Sequence, residues 1–73
     1  MMKFNKPDRD YTKMNDFIRG EMRRKKINQE RVGEYLHIPQ TAVSKRLSGK
    51  TEWTLREIMN LYELLGVEHE WNS

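Results

Sequence analysis

Residues 27–50 read INQERVGEYLHIPQTAVSKRLSGK, and this stretch decides the fold. Asn28 is a favourable N-cap, because its side chain can accept a free backbone N–H from the first turn of a helix. The apolar spacing that follows predicts a short helix over residues 29–36. Residues 37 and 38 then leave room only for a tight connection. Another helix is predicted over residues 39–48, because the proline that opens this range has no N–H to leave unpaired in a first turn.

A longer helix is predicted before this pair, from Asp10 into the basic run that ends at Lys26. Its apolar residues recur at three- and four-residue steps, which gathers them on one helical face. The residues of this stripe are Tyr11, Met14, Phe17, Ile18 and Met22.

A fourth helix is predicted after the pair. Thr54 and Glu57 match a capping box at its start. Gly66 and Val67 suit a Schellman turn at its end. The remaining residues have room for one further turn, with Trp71 folded back on the core. Since no segment alternates apolar and polar residues over the length of a strand, the sequence predicts an all-α domain of four to five helices.

Length and composition allow one small domain. The chain has 73 residues, a formal net charge of +3 and a sequence pI of about 9.4. We expect a flexible arm over residues 1–9, with Lys3 and Lys6 as basic side chains, and a single domain over residues 10–73. No run of residues approaches the length that a membrane span requires, and no signal peptide is evident, so a cytoplasmic protein without a membrane partner is expected.

Neither a metal nor another cofactor is expected. The chain has no cysteine, and its two histidines, His37 and His69, lie far apart without companion ligands at metal spacing. No nucleophile has a neighbouring base, and no glycine-rich phosphate loop is present. The sequence therefore predicts no enzyme, no catalytic residue and no small-molecule substrate.

The charges are distributed unevenly along the chain. Residues 1–56 hold all 14 basic and seven of the acidic side chains, a formal charge of +7. Residues 57–73 hold four acidic side chains and no basic one. A molecule with this polarity attracts a polyanion to its positive end, and nucleic acid is the commonest polyanion in a cell.

The spacing of several segments resembles the phage repressor/Cro-like (XRE) helix-turn-helix family over about residues 14–71. The resemblance is carried by INQERVG at 27–33, VSKRLSGK at 43–50, WTLREI at 53–58 and LLGV at 64–67. It implies a lambda-repressor-like fold that binds double-stranded DNA by inserting its third helix, about residues 39–48, into the major groove.

The resemblance also explains single residues and marks two departures. The family requires a very small side chain at Gly33, where the third helix crosses the second. His37 stands where many members have glycine in the turn, and histidine tolerates a positive φ better than a bulky apolar residue does. Met22 and Leu47 stand where many members have a buried ion pair, so we expect these two side chains to touch.

The third helix offers a polar face opposite its core residues Val43 and Leu47. Such side chains can hydrogen-bond adenine or guanine, or pack on a thymine methyl. The predicted base contacts are Gln40, Thr41, Ala42, Ser44 and Lys45.

Phosphate contacts are predicted on both sides of this face. Gln29 can act together with the free N–H groups at the start of the second helix. The resemblance suggests Lys50 and Thr51 just past the third helix, and Arg46 is a further candidate. The run from Arg23 to Lys26 is as consistent with a solvated helix end as with a phosphate site.

Two functions fit these observations. The first is a sequence-specific transcriptional regulator, a small Cro-type or repressor-like protein of a phage or bacterium, bound as a homodimer to a palindromic operator. Val67, Trp71 and Tyr62 are candidates for a small pairing surface. The alternative is a protein-binding module, such as an antitoxin or a phage inhibitor, that uses the same helices or the acidic end of the chain.

Overall fold

A computed structural model describes the backbone of residues 7–68 and contains four helices in that range. They are α1 (Pro7–Lys25), α2 (Gln29–Leu36), α3 (Gln40–Leu47) and α4 (Leu55–Leu65). No strand occurs between residues 7 and 68. The predicted all-α class is therefore confirmed. The further helical turn that was expected after the fourth helix, with Trp71, lies outside the described residues.

Helix α1 starts three residues earlier than the sequence analysis predicted. Its first residue is Pro7, whereas Asp10 was expected to cap the helix. Proline favours the first helical position, because its fixed φ is already helical and its missing N–H would have had no partner there. Residues 7–9 of the predicted arm thus belong to the helix, and the rest of that arm lies outside the described residues.

The predicted N-caps of α2 and α4 are confirmed. The side chain of Asn28 accepts from the backbone N–H of Arg31 at 2.8 Å. Thr54 and Glu57 form the full capping box, since each side chain accepts from the other residue's backbone N–H. Pro39 precedes α3 as its N-cap instead of lying in its first turn, so α3 is one residue shorter at each end than predicted.

Left-handed residues end three of the helical segments. His37 has φ 62°, which confirms its assignment as a turn residue, and Gly49 follows α3 with φ 87°. After α4, Gly66 has φ 71°, and the N–H of Val67 donates to the carbonyl of Tyr62 at 3.0 Å, as the predicted Schellman turn requires.

Helix α1 ends in the same way at a residue that the sequence did not mark. Lys26 has φ 59°, and the following N–H of Ile27 donates to the carbonyl of Met22 at 2.9 Å. Lysine does not favour the left-handed conformation, so its presence here does not predict a left-handed helix end. The basic run correctly predicts where α1 ends, whereas the left-handed conformation of Lys26 could not be predicted from the local sequence.

Gly33 is needed where α2 meets the turn. A Cβ at this position would lie 2.7 Å from the carbonyl oxygen of Ile38 and 3.6 Å from the backbone nitrogen of Gln40. The requirement for a very small residue is thus confirmed, and the nearest obstacle is the turn that leads into α3.

The core is built from all four helices and from the loop before α4. Met22 and Leu47 are both buried members of it, which fits the replacement of an ion pair by two apolar side chains. Trp53 is buried as well, although the sequence assigned it only to a loop. The other buried apolar residues are Ile18, Val32, Leu36, Val43, Ile58, Leu61, Tyr62 and Leu65.

Candidate nucleic-acid interface

Helix α3 has a buried side and an exposed side. Val43 and Leu47 are almost fully buried, and α3 packs against α2 through the tight turn. The predicted base-contacting residues lie on the remaining surface, where Ala42 is half-buried. The exposed ones are Gln40, Thr41, Ser44 and Lys45. The helix thus offers polar side chains on a surface that the core holds from behind.

The start of α2 presents a second group of donors. Gln29 is the first residue of α2 and is half-buried. The side chain of Asn28 satisfies only the N–H of Arg31, so other first-turn N–H groups still point along the helix axis. An anion at this helix end would meet backbone donors and the positive end of the helix dipole.

The segment after α3 is held close to that helix. The backbone N–H groups of Lys50 and Thr51 both donate to the carbonyl of Lys45, at 2.9 and 3.3 Å. Both side chains are exposed. A basic side chain and a hydroxyl therefore stand at the C-terminal end of α3.

Arg46, a predicted phosphate contact, has its side chain engaged within the fold. Its Nε donates to Oε1 of Glu57 at 2.8 Å, and its second terminal nitrogen donates to Oε2 at 3.2 Å. A third N–H donates to the carbonyl of Ala42 at 3.2 Å. With most of its surface covered, Arg46 links α3 to α4 instead of extending to solvent.

A buried polar link between α1 and the loop before α4 was missed by the sequence analysis. The side-chain amide of Asn15 donates to the carbonyl of Arg46 at 3.0 Å. Its oxygen accepts from the indole N–H of Trp53 at 2.8 Å. Asn15 thereby gives the buried indole N–H a partner, and it adds a second donor to a helix-end carbonyl that also accepts from the backbone N–H of Gly49 at 3.1 Å.

A cleft of about 430 Å³ lies above this link, between α1 and the loop. Arg19 lines it together with Lys50 and Thr51, so α1 supplies a further cation beside the candidate phosphate contacts. Asp16 and Glu52 line the same cleft, and the local charge is therefore mixed.

The comparison with known families agrees with this geometry. A family model described as helix-turn-helix matches residues 18–72. The chain belongs to the XRE helix-turn-helix family. No curated protein and no solved structure matches the chain at a significant level. Membership in this DNA-binding, non-enzymatic family makes the chain a DNA-binding helix-turn-helix domain, with α2 and α3 as the paired helices.

In this XRE-family domain, part of the basic run at the end of α1 is structural. Arg24 and Lys25 both pair with Glu21, at 2.6 and 2.8 Å. Lys25 also donates to the carbonyl of Leu65 at 2.6 Å, which joins α1 to the end of α4. Hydrogen bonds first from Lys25 and then from Arg24 hold the pKa of Glu21 below its ordinary value.

No cluster of His, Asp and Glu that could hold a metal ion occurs among residues with described positions. Within that same part of the chain, none of the helices combines the length and the hydropathy that crossing a bilayer requires.

Proposed function

We propose that the chain is a sequence-specific transcriptional regulator of the small, phage-type Cro or repressor kind, which inserts α3 into the major groove of double-stranded DNA. The observation that carries this proposal is the exposed polar face of α3 opposite the buried side chains of Val43 and Leu47. A helix of this width fits the major groove of B-form DNA, and a core on its far side fixes which residues meet the bases.

The side chains of this face have the chemistry for reading base edges. Gln40 can pair with the N6 and N7 groups of adenine, and Lys45 can reach O6 and N7 of guanine. The methyl groups of Thr41 and Ala42 can pack on thymine, while Ser44 can donate or accept.

Phosphate contacts on either side would set the register of α3 in the groove. We assign this role to Gln29 at the start of α2 and to Lys50 and Thr51 after α3. Arg46 is left out of this set, because three of its N–H groups already have partners within the fold. In its place we add Arg19, which lines the same cleft as Lys50.

Two copies bound to a two-fold symmetric operator would have a higher affinity for DNA than one copy. One small recognition helix touches only a few base pairs, whereas paired domains read two half-sites about one helical turn apart. The target would be DNA of a bacterial or phage-infected cell.

Selection of bound fragments from random duplex DNA tests the proposal. We expect enrichment of one short motif, repeated as an inverted pair about 10 base pairs apart centre to centre. A variant with Gln40, Thr41 and Lys45 replaced by alanine serves as the control, because it keeps the core while removing the reading groups. Absence of any enrichment, together with no duplex binding at low salt, would instead favour the protein-binding alternative.

A further inference from the structure

Large exposed apolar side chains are confined to one side of the fold, as far as residues 12–68 are concerned. Leu55 is 66% exposed, Phe17 43% and Met59 38%. Met59 follows Leu55 by one turn of α4, and the ring of Phe17 packs on Tyr62, two turns after Leu55, with 5.9 Å between centroids. These residues form one stripe, which we call the α4 stripe.

The core does not need this side of α4. Its opposite side already supplies Ile58, Leu61 and Leu65 to the buried cluster. On the free side, a shallow groove of about 450 Å³ runs along Leu55, Arg56, Met59 and Asn60. The residues predicted for pairing expose less apolar surface than the α4 stripe, since Tyr62 is buried and Val67 is half-buried.

Two exposed charges of opposite sign border the stripe on the same flank. Arg56 and Glu63 are seven residues apart, which is two helical turns or roughly 10 Å along the axis. Their midpoint falls between Met59 and Asn60, at the centre of the groove. Because they lie symmetrically about this point, a two-fold axis there would place each Arg56 opposite a Glu63.

The apolar residues fit the same symmetry. In two antiparallel copies of α4, the start of one helix meets the end of the other. Leu55 of one copy would then cover the exposed ring of Phe17 of the second, and the two Met59 side chains would meet near the axis. Self-complementarity of this kind is what an isologous interface requires.

We propose that the α4 stripe, with Arg56 and Glu63 at its edge, is the surface through which two copies of this chain associate in antiparallel fashion. The use of that dimer on an inverted-repeat operator rests on the proposed function, whereas the association itself does not. The partner of the α4 stripe is a second copy of the chain. The stripe of a single copy already carries both residues of the Arg56–Glu63 charge pair and both sides of each apolar contact.

Charge reversal tests the proposal on the full chain without DNA. Sedimentation equilibrium of the wild type should show a monomer–dimer equilibrium. Arg56→Glu and Glu63→Arg should each weaken dimerisation by about tenfold or more, because each puts like charges opposite one another at two symmetric places. The double variant R56E/E63R should restore most of the wild-type affinity, since it exchanges the partners of both pairs.

Matched controls separate this effect from general charge and folding effects. Arg23→Glu makes the same change of charge on exposed α1 surface and should leave dimerisation unchanged. Tyr35→Phe removes the hydrogen bond from its hydroxyl to Glu63 within one copy, at 3.3 Å, and should also leave it unchanged. Circular dichroism reports whether each variant remains folded.

A wild-type chain that stays monomeric at millimolar concentration would overturn the proposal. So would single reversals that dissociate the dimer when the double variant does not restore it, because then the two charges do not face each other. A monomer that still selects an operator half-site would overturn only this inference. A dimer with no affinity for DNA would overturn only the proposed function.

Discussion

The guanidinium of Arg46 and the carboxylate of Glu57 form a two-bonded ion pair between α3 and α4, with side chains only 19% and 15% exposed. Oε1 of Glu57 also accepts the backbone N–H of Thr54, so the same carboxylate caps α4. The orientation of the recognition helix is therefore tied to the start of the following helix by one side chain.

Removing one partner of this pair should destabilise the domain. Arg46→Met leaves a largely covered carboxylate without its cation, and we expect a loss of about 1 to 3 kcal/mol in the free energy of unfolding. Urea titration measures this loss. The salt dependence of DNA binding should keep its slope, because Arg46 contacts no phosphate in our assignment. A slope reduced by about one unit would return Arg46 to the phosphate-contacting set.

Asn15 should be nearly as sensitive, although it carries no charge. Asn15→Leu has a similar volume but leaves the buried indole N–H of Trp53 without its partner, while the carbonyl of Arg46 keeps the backbone N–H of Gly49 at 3.1 Å. An unpaired buried donor costs about 1 to 3 kcal/mol, so we expect a loss of that size, read from denaturant unfolding. Asn15→Asp keeps an acceptor for Trp53 and should cost less. Equal stability of the leucine variant and the wild type would contradict this role.

Alanine at two glycines should have opposite effects. Gly33→Ala places a methyl group 2.7 Å from the carbonyl oxygen of Ile38, so α2 or the turn must shift. We expect a loss of about 1 to 3 kcal/mol despite the better helix propensity of alanine. Gly20→Ala meets nothing within 4 Å in the middle of α1 and should stabilise the domain by about 0.5 to 1 kcal/mol. Thermal unfolding of both variants measures these changes in stability. A Gly33→Ala variant that is more stable than the wild type would contradict the close approach of Gly33 to the carbonyl oxygen of Ile38.

These residues also show how far a sequence can be read. Asn28, the Thr54 and Glu57 pair and His37 were predicted because each acts on backbone groups within a few positions, where spacing determines geometry. The link from Asn15 to Trp53 spans 38 residues. This link exists only because α1, α3 and the loop before α4 are close together in the folded domain. No periodicity in the sequence predicts that they are close. The ion pair of Arg46 was not predicted for the same reason, since its partner Glu57 belongs to another helix.

Acid should weaken the ion pairs of Glu21 with Arg24 and Lys25 at the end of α1. The pKa of Glu21 is held below its ordinary value by Lys25 and then Arg24. A lowered pKa in the folded state means that the stabilising contribution is fully present above the ordinary pKa of 4.5 and is lost as the pH falls through the lowered value. Glu21→Gln should therefore be less stable than the wild type at pH 7, and the difference should shrink on acidification. A difference independent of pH would contradict this account.

The two lysines near the C-terminal end of α3 should affect DNA binding in different ways. Lys45→Ala removes a group from the exposed face of α3, and we expect a loss of about 1 to 3 kcal/mol on the preferred site with a weaker preference among sequences. Lys50→Ala should weaken binding to all sequences alike and reduce the slope of log K against log[salt] by about one unit, since it would release one fewer counterion. Titration of operator and scrambled duplexes at several salt concentrations measures both quantities. Because Lys45 lies within α3 and Lys50 follows it, identical behaviour of the two variants would show that Lys45 does not read the bases.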